Sequence, residues 1–425
     1  MTNNISNRVD EIFSHSRDAC EQALGALFEK EGGPGQGAAI KLHLRNFASF
    51  NSTFGFRKGE ALLRQVAAYL SDAAGEKIFR QGSGVSFILL LEGANAAKAS
   101  ALAQQIADRF EQPWLIDMVD CICAVSVGVV PYPEHAENPS DLLHNLDVAV
   151  DQSTKAGYNQ VTVFGPALQE RFYRDAVIMR LLTTAVESDK IDIRYRPVWN
   201  LHENCYTRIE CYPRLLTVEF GPVKATEFLP LAEESGVACF VNMYVVRRAC
   251  EAIRQLLDEG IVFESLSVQI SPVMLIQRGF TDEVAQLLGS HNIPSKKLAF
   301  EIREDPMTAH CIRSVMEKLV ALGVEIVLSG ADYGLGGLRD VIALPINAVK
   351  LGRLSVWQIE TNPRSGAVIE GLVQICENLG IKLIASGVET QYQNSLLSRY
   401  HCPYRQGLYY SPAISLPEIK TMLQG

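Results

Sequence analysis

From Ile191 to the C-terminus, short apolar segments alternate with helical patterns. The segments are "IRYRPVW", "TRIECYPRL", "LSVQIS", "LAFEIRE", "VEIVLSG", "AVKLG", "KLIASGV" and "GLYYSP", and helical spacing over 242–257, 281–290, 309–322 and 365–379 falls between most of them. This alternation constrains the fold more than any other feature. Strands joined through helices run parallel, and a run this long favours closure into a (β/α) barrel over an open sheet.

The upstream half has a different grammar. Residues 1–30 carry Val9, Ile12, Phe13, Cys20, Ala23, Leu24 and Leu27 near helical spacing, and "EGGPGQG" at 31–37 breaks that pattern, since glycine and proline do not continue a helix. Strand signals in "AIKLHL", "KIFRQ", "FILLL", "CAVSVGVV" and "QVTVF" are then mixed with helices, one of them opened by Asn95 as a cap. Strands paired around tight turns and interspersed with helices predict an α+β sandwich. Residues 166–188 form one long helical pattern. The expected division is an N-terminal helix and glycine-rich break over 1–35, an α+β domain over 36–165, a linker helix over 166–189 and an α/β TIM-like (β/α) barrel over 190–425.

A chain of 425 residues is long for one domain, and 48% hydrophobic content fills more than one core. The net charge of −9 argues against non-specific nucleic-acid binding, which needs a basic face. No charged n-region precedes an apolar stretch at the start, and no apolar run approaches membrane-spanning length, so neither a signal peptide nor membrane insertion is expected. The ten cysteines form no CxxC and no Cys/His set with zinc spacing, which predicts reduced, mostly buried thiols in a cytoplasmic protein.

In a barrel of this type function sits at the carboxyl ends of the strands. Those ends carry Glu210, Gln269, Glu301, Ser329 with Gly330, Lys350, Ser386 with Glu389, and Gln406. Each alone is an ordinary loop polar residue; together they suggest a site.

These blocks, in this order and at this spacing, resemble the EAL domain: "YRPVWNLHENCYTRIECYPRL", "FLPLAEESGV", "LSVQISP", "LAFEIRE", "ALPINAVKLG", "LIASGVET" and "RQGLYYSP". The resemblance implies a TIM-like barrel that hydrolyses cyclic di-GMP with two divalent metals. The upstream unit, through "NFASFNSTFGFRKGEALLRQVA", "SVGVVPYP" and "LDVAVDQSTKAGYNQV", is similar to the GGDEF domain, a nucleotide-cyclase-like fold that makes cyclic di-GMP.

The resemblance assigns roles residue by residue. Glu210, Glu301, Lys350 and Glu389 match retained positions, Arg214 matches a phosphate-contacting arginine, and Gln406 matches a guanine-side contact. Arg196 stands where the family has glutamine, and Tyr212 where it has leucine. Other positions are lost. Gln269 replaces a metal-binding asparagine. The adjacent metal aspartates align to Ser329 and Gly330, and the general-base glutamate aligns to Ser386. A shifted register that enlists Asp332 still leaves Ala331 in the other aspartate position. Metal coordination lowers the pKa of a bound water from 15.7 to about 7, so roughly 12 kcal/mol of nucleophile activation depends on it. Loss of the metal ligands and the base therefore predicts no phosphodiesterase activity and no bound metal.

In the upstream unit the synthase motif is replaced by Ser83, Gly84, Val85 and Ser86. The metal aspartates align to His43 and Arg45, and the phosphate-binding lysine aligns to Thr154. Asn51, a guanine-contact position, remains, and Glu60 stands beside it in place of an aspartate. No diguanylate cyclase activity is expected. Two binding roles stay open, a metal-independent cyclic di-GMP receptor and a scaffold for a protein partner that binds no nucleotide, with residual cyclic di-GMP phosphodiesterase as a third alternative. The receptor would use Arg196, Glu210, Tyr212, Arg214, Gln269, Glu301, Lys350, Glu389 and Gln406. In the scaffold reading, Tyr212 and Gln269 fill the pocket. The resemblance also implies a homodimer.

Overall fold

A computed structural model describes residues 9–10, 12–13, 17–30, 33–74, 77–81, 85–303, 309–331 and 343–424. The chain divides into two compact units, Met1–Arg174 and Asp175–Gly425. The helix Pro166–Ala185 contains the division point.

The first unit is built on β1 (Gly37–Arg45), β2 (Ile78–Gln81), β3 (Ser86–Glu92), a small hairpin of β4 (Trp114–Ile116) and β5 (Val119–Cys121), β6 (Ala124–Tyr132) and β7 (Gln160–Val163). The five-stranded sheet has the order β2-β3-β1-β6-β7 and is antiparallel except where β6 meets β7. Alternation on β1 sends Ile40, Leu42 and Leu44 into one core, with helices Phe56–Ala74 and Ala96–Arg109, and Ala39 into a second, with helices Arg17–Phe28 and Pro139–Ala156. Asn95 caps its helix as expected, accepting from the Lys98 backbone amide. The single N-terminal amphipathic face is a correction. Val9 and Ile12 are buried in the first core, whereas Cys20, Leu24 and Leu27 are buried in the second.

The second unit contains β8 (Ile191–Asn200), β9 (Cys205–Thr217), β10 (Gly221–Lys224), β11 (Ser265–Ile270), β12 (Leu298–Arg303), β13 (Glu325–Ala331), β14 (Ala348–Leu351), β15 (Lys382–Ser386) and β16 (Tyr404–Gln406). Its order is β10-β9-β11-β12-β13-β14-β15-β16-β8, and β8 also pairs with β9, so the sheet closes on itself. The pairs from β9 to β16 round the ring are parallel, as the alternation predicts. β8 departs from that expectation. It is antiparallel to both neighbours, because a short turn at 201–204 joins it to β9 with no helix between them.

The outward faces of the strands carry Leu266, Val268, Phe300, Ile302, Ile326 and Leu328 into the core beneath the surrounding helices. Each such fully buried side chain contributes about 1.5–3 kcal/mol. The inward faces form layers. Val198, Ala299, Val327, Ala348 and Ile384 make a thin apolar layer, and the small alanines leave room for the larger neighbours. Period-two alternation then places Arg196, Glu301, Ser329, Lys350 and Ser386 two residues away on the same faces.

Candidate functional site

The strand tips converge on Lys350, which is 6% exposed at the centre of β14. Its ammonium donates to both carboxylate oxygens of Glu301, at 3.0 and 2.9 Å, and pairs with Glu210 Oε1 at 3.0 Å. Ser267 Oγ donates to Glu301 Oε1 at 2.7 Å, and Gln406 Nε2 donates to Glu210 Oε2. Arg196 Nη1 lies 3.9 Å from Glu210 Oε2, and its guanidinium sits 4.6 Å over the Tyr212 ring. Glu210, Glu301, Lys350, Gln406, Arg196 and Tyr212 are thus brought together.

The charges explain one another. Burial alone would raise the Glu210 carboxyl, but Lys350 and Arg196 outweigh it and hold Glu210 below the usual range. Burial alone would lower the Lys350 ammonium, and the two carboxylates outweigh that and raise it. Two buried atoms of this cluster find no hydrogen-bond partner among the described residues: Arg196 Nε, a donor, and Gln406 Oε1, an acceptor.

Gln269, Ser329 and Ser386 stand in strand register with Glu301, Lys350 and Gln406, and Glu389 and Arg214 pair with charges outside the cluster. Glu389 pairs with Arg353 at 2.9 Å, and that guanidinium stacks 3.8 Å from the Trp357 ring. Glu389 is thus paired with an arginine from a neighbouring helix, a partner that sequence spacing does not register. Arg214 pairs with Asp192, which also takes Arg194. Gln269 lines a cavity of about 220 Å³ with Pro230, Glu233, Ser271 and Arg303. Ser329 Oγ donates to the Ile302 carbonyl at 3.4 Å, and Ser386 sits half-buried at the end of β15. Gly330 has φ +85°, and a Cβ there would lie 3.3 Å from Arg303 Cγ, so a side chain at this tip would be strained and would crowd the aliphatic stem of that arginine.

These residues do not fit a pair of divalent cations. The two carboxylates present, Glu210 and Glu301, are already bridged by an ammonium, and the neighbouring tips offer amide, hydroxyl and glycine. Among the described residues no three His, Cys, Asp or Glu side chains gather as a metal would require. Asp332 lies outside the described residues.

In the first unit, His43 Nδ1 lies 2.9 Å from Ser86 Oγ, and Arg45 donates to the backbone carbonyls of Thr154 and Gly157 at 3.1 and 2.9 Å. Lys41 pairs with Asp147, and Arg80 lies 3.7 Å from Glu60. Burial, then Lys41 and Arg45, lower the His43 pKa. At the two positions where the resemblance places magnesium-binding aspartates, this unit carries an imidazole and a guanidinium. Val85 passes its carbonyl to the Leu44 amide, while Ser83 and Gly84 lie outside the described residues.

The sequence reading missed a second ionic cluster at the amino ends of the strands. Arg208, 3% exposed, binds Glu264 at 3.2 Å and Glu325 at 2.6 Å, and Lys382 binds the same two carboxylates at 3.0 and 2.9 Å. Thr207 and Tyr404 donate to Glu264, and Ser265 donates to Glu325. Burial would raise Glu264, but hydrogen bonds and the two cations bring it down to about 2. A visible signal was the charged first residue of β13 and of β15.

Among the described residues no helix is long and apolar enough to cross a membrane. Residues 179–413, more than half of the chain, match the model of the EAL domain, and residues 15–160 match that of the diguanylate cyclase, GGDEF domain. The bifunctional diguanylate cyclase/cyclic di-GMP phosphodiesterase MucR of Pseudomonas aeruginosa is 26% identical over 374 residues, covering 87% of this chain and 54% of that protein. The cyclic di-GMP phosphodiesterase PdeR of Escherichia coli is 25% identical over 382 residues, covering 88% and 58%. The chain spans little more than half the length of these relatives. A structure of Vibrio cholerae LapD, S helix–GGDEF–EAL bound to c-di-GMP, shares the fold with TM-score 0.61 at 19% identity, covering 93% of each chain. With both domain models matched in tandem, the chain belongs to the EAL domain family and carries a GGDEF domain ahead of its barrel.

Proposed function

We propose that this protein acts in cyclic di-GMP signalling by binding and not by turnover, with the barrel taking cyclic di-GMP without metal. The observation that carries the proposal is Lys350 bridging Glu210 and Glu301. A metal pair needs free carboxylates; here Lys350 and Arg196 together balance Glu210 and Glu301, so a dianion does not meet a net negative site. Arg196 and Arg214 add fixed charge at the mouth, and guanidinium groups suit phosphodiester oxygens. The unpartnered Gln406 Oε1 and Arg196 Nε supply an acceptor and a donor for base and phosphate.

The same composition supports an inactive pair of domains. Without a metal-activated water, and with Ser386 in the base position, in-line hydrolysis has no nucleophile prepared at neutral pH. The first unit lacks the carboxylates that would hold magnesium on a triphosphate. A second reading, a scaffold for a protein partner, is favoured by the Tyr212 ring lying under Arg196, where it takes up room at the mouth.

Calorimetric titration of the purified chain with cyclic di-GMP in EDTA separates the readings. Micromolar binding that Arg214→Ala abolishes supports the receptor. Absence of heat, with a protein partner recovered by pull-down, supports the scaffold. Linear product formation from cyclic di-GMP with magnesium or manganese, or from GTP, overturns the proposal of inactivity.

A further inference from the structure

We propose that Asp192 is a built-in competitor for the arginines at the barrel mouth and thereby sets the affinity for a phosphodiester ligand. The proposal rests on the binding role given above. Asp192 on β8 stands in register with Arg214 on β9. One oxygen, Oδ2, accepts from Arg214 Nη2 at 2.5 Å and Nε at 3.2 Å, and from Arg194 Nε at 2.9 Å. The Nε/Nη2 edge is one of those by which a guanidinium grips two oxygens of an oxyanion in parallel. Here a carboxylate already fills it, so a ligand phosphate must either displace Asp192 or take a poorer edge.

The geometry allows displacement. The Asp192 and Arg214 side chains are each 26% exposed, so the carboxylate can turn out into water without being stranded in a dry interior. Arg214 does not depend on Asp192 for its backbone position, because β8 pairs with it on one side and Lys224 of β10 on the other. Removal of the Asp192 charge leaves Arg194 and Arg214 facing each other without their shared counter-ion, which makes a stronger anion site.

The rival role for Asp192 is positioning, in which it holds the Arg214 side chain ready for the ligand. The two roles predict opposite signs. Competition predicts tighter binding when the charge is removed; positioning predicts weaker binding.

The test is calorimetric titration of the full chain with cyclic di-GMP in EDTA, for wild type, Asp192→Asn, Asp192→Ala and Asp192→Glu, with thermal unfolding to check each fold. About ten-fold tighter binding for the Asn and Ala variants, with Glu near wild type, is expected, the size of exchanging a charge-assisted contact for a neutral one. Wild-type binding with equal or weaker binding by the neutral variants overturns the competitor and leaves the receptor reading intact. No heat from any of the four chains overturns both. Heat from the neutral variants alone sustains the competitor and shows that Asp192 closes the wild-type mouth.

Discussion

The two ends of the barrel solve the same electrostatic problem differently. At the amino end, two carboxylates, Glu264 and Glu325, meet two cations, Arg208 and Lys382, and hydroxyls from Thr207, Ser265 and Tyr404 take up further lone pairs. At the carboxyl end, two carboxylates meet one central ammonium, with Arg196 at the margin, and buried donor and acceptor atoms stay unpartnered among the described residues. A saturated cluster is a structural fastening; an unsaturated one has capacity for a ligand. The apolar layer of Val198, Ala299, Val327, Ala348 and Ile384 separates them.

The largest expected effect is at the amino end. Arg208→Ala strips a fully buried cation from two carboxylates and should cost about 5 kcal/mol, with no change in nucleotide affinity of the folded fraction. Chemical denaturation measures it; a loss below about 1 kcal/mol would mean this end is not the fastening described. Lys350→Gln should cost less, about 3 kcal/mol, because an amide still donates, yet it should abolish cyclic di-GMP binding. If binding survives, the contrast between the ends collapses.

Ala348→Leu overfills the separating layer and should cost about 2 kcal/mol, read as a shift in denaturation midpoint. The smallest effect at neutral pH is titration. Glu264 falls from an ordinary 4.5 to about 2 in the folded chain, and Glu325 is lowered as well. The unfolded chain therefore binds more protons in that interval, so stability is fully present above about pH 4.5 and declines as pH falls towards 2. Glu264→Gln should flatten that decline in a pH series of denaturation midpoints, and an unchanged slope would assign it to other carboxyls.

Parts of this arrangement are legible in the sequence. Alternation of strands and helices announced the barrel, and the order of the strand-tip motifs brought Glu210, Glu301, Lys350 and Gln406 into one group. The tips Ser329, Gly330 and Ser386 were visibly without carboxylates. Not legible were the capture of Glu389 by Arg353, the sharing of Asp192 between Arg194 and Arg214, and the amino-end network. Each joins side chains from different strands or helices, and a motif records neither the direction of a side chain nor the partner that arrives across the sheet.

Which chemistry each strand tip carries is written in the chain locally, because period-two alternation and residue identity do not depend on distant partners. The direction of β8 was also local, since so short a turn to β9 leaves no room for a crossover, although the general alternation concealed it. Which charges neutralise which depends on the closed barrel. Closure of the sheet brings β8, β9, β12, β14 and β16 around one axis, and in a buried site a few ångströms separate a free carboxylate from one already paired.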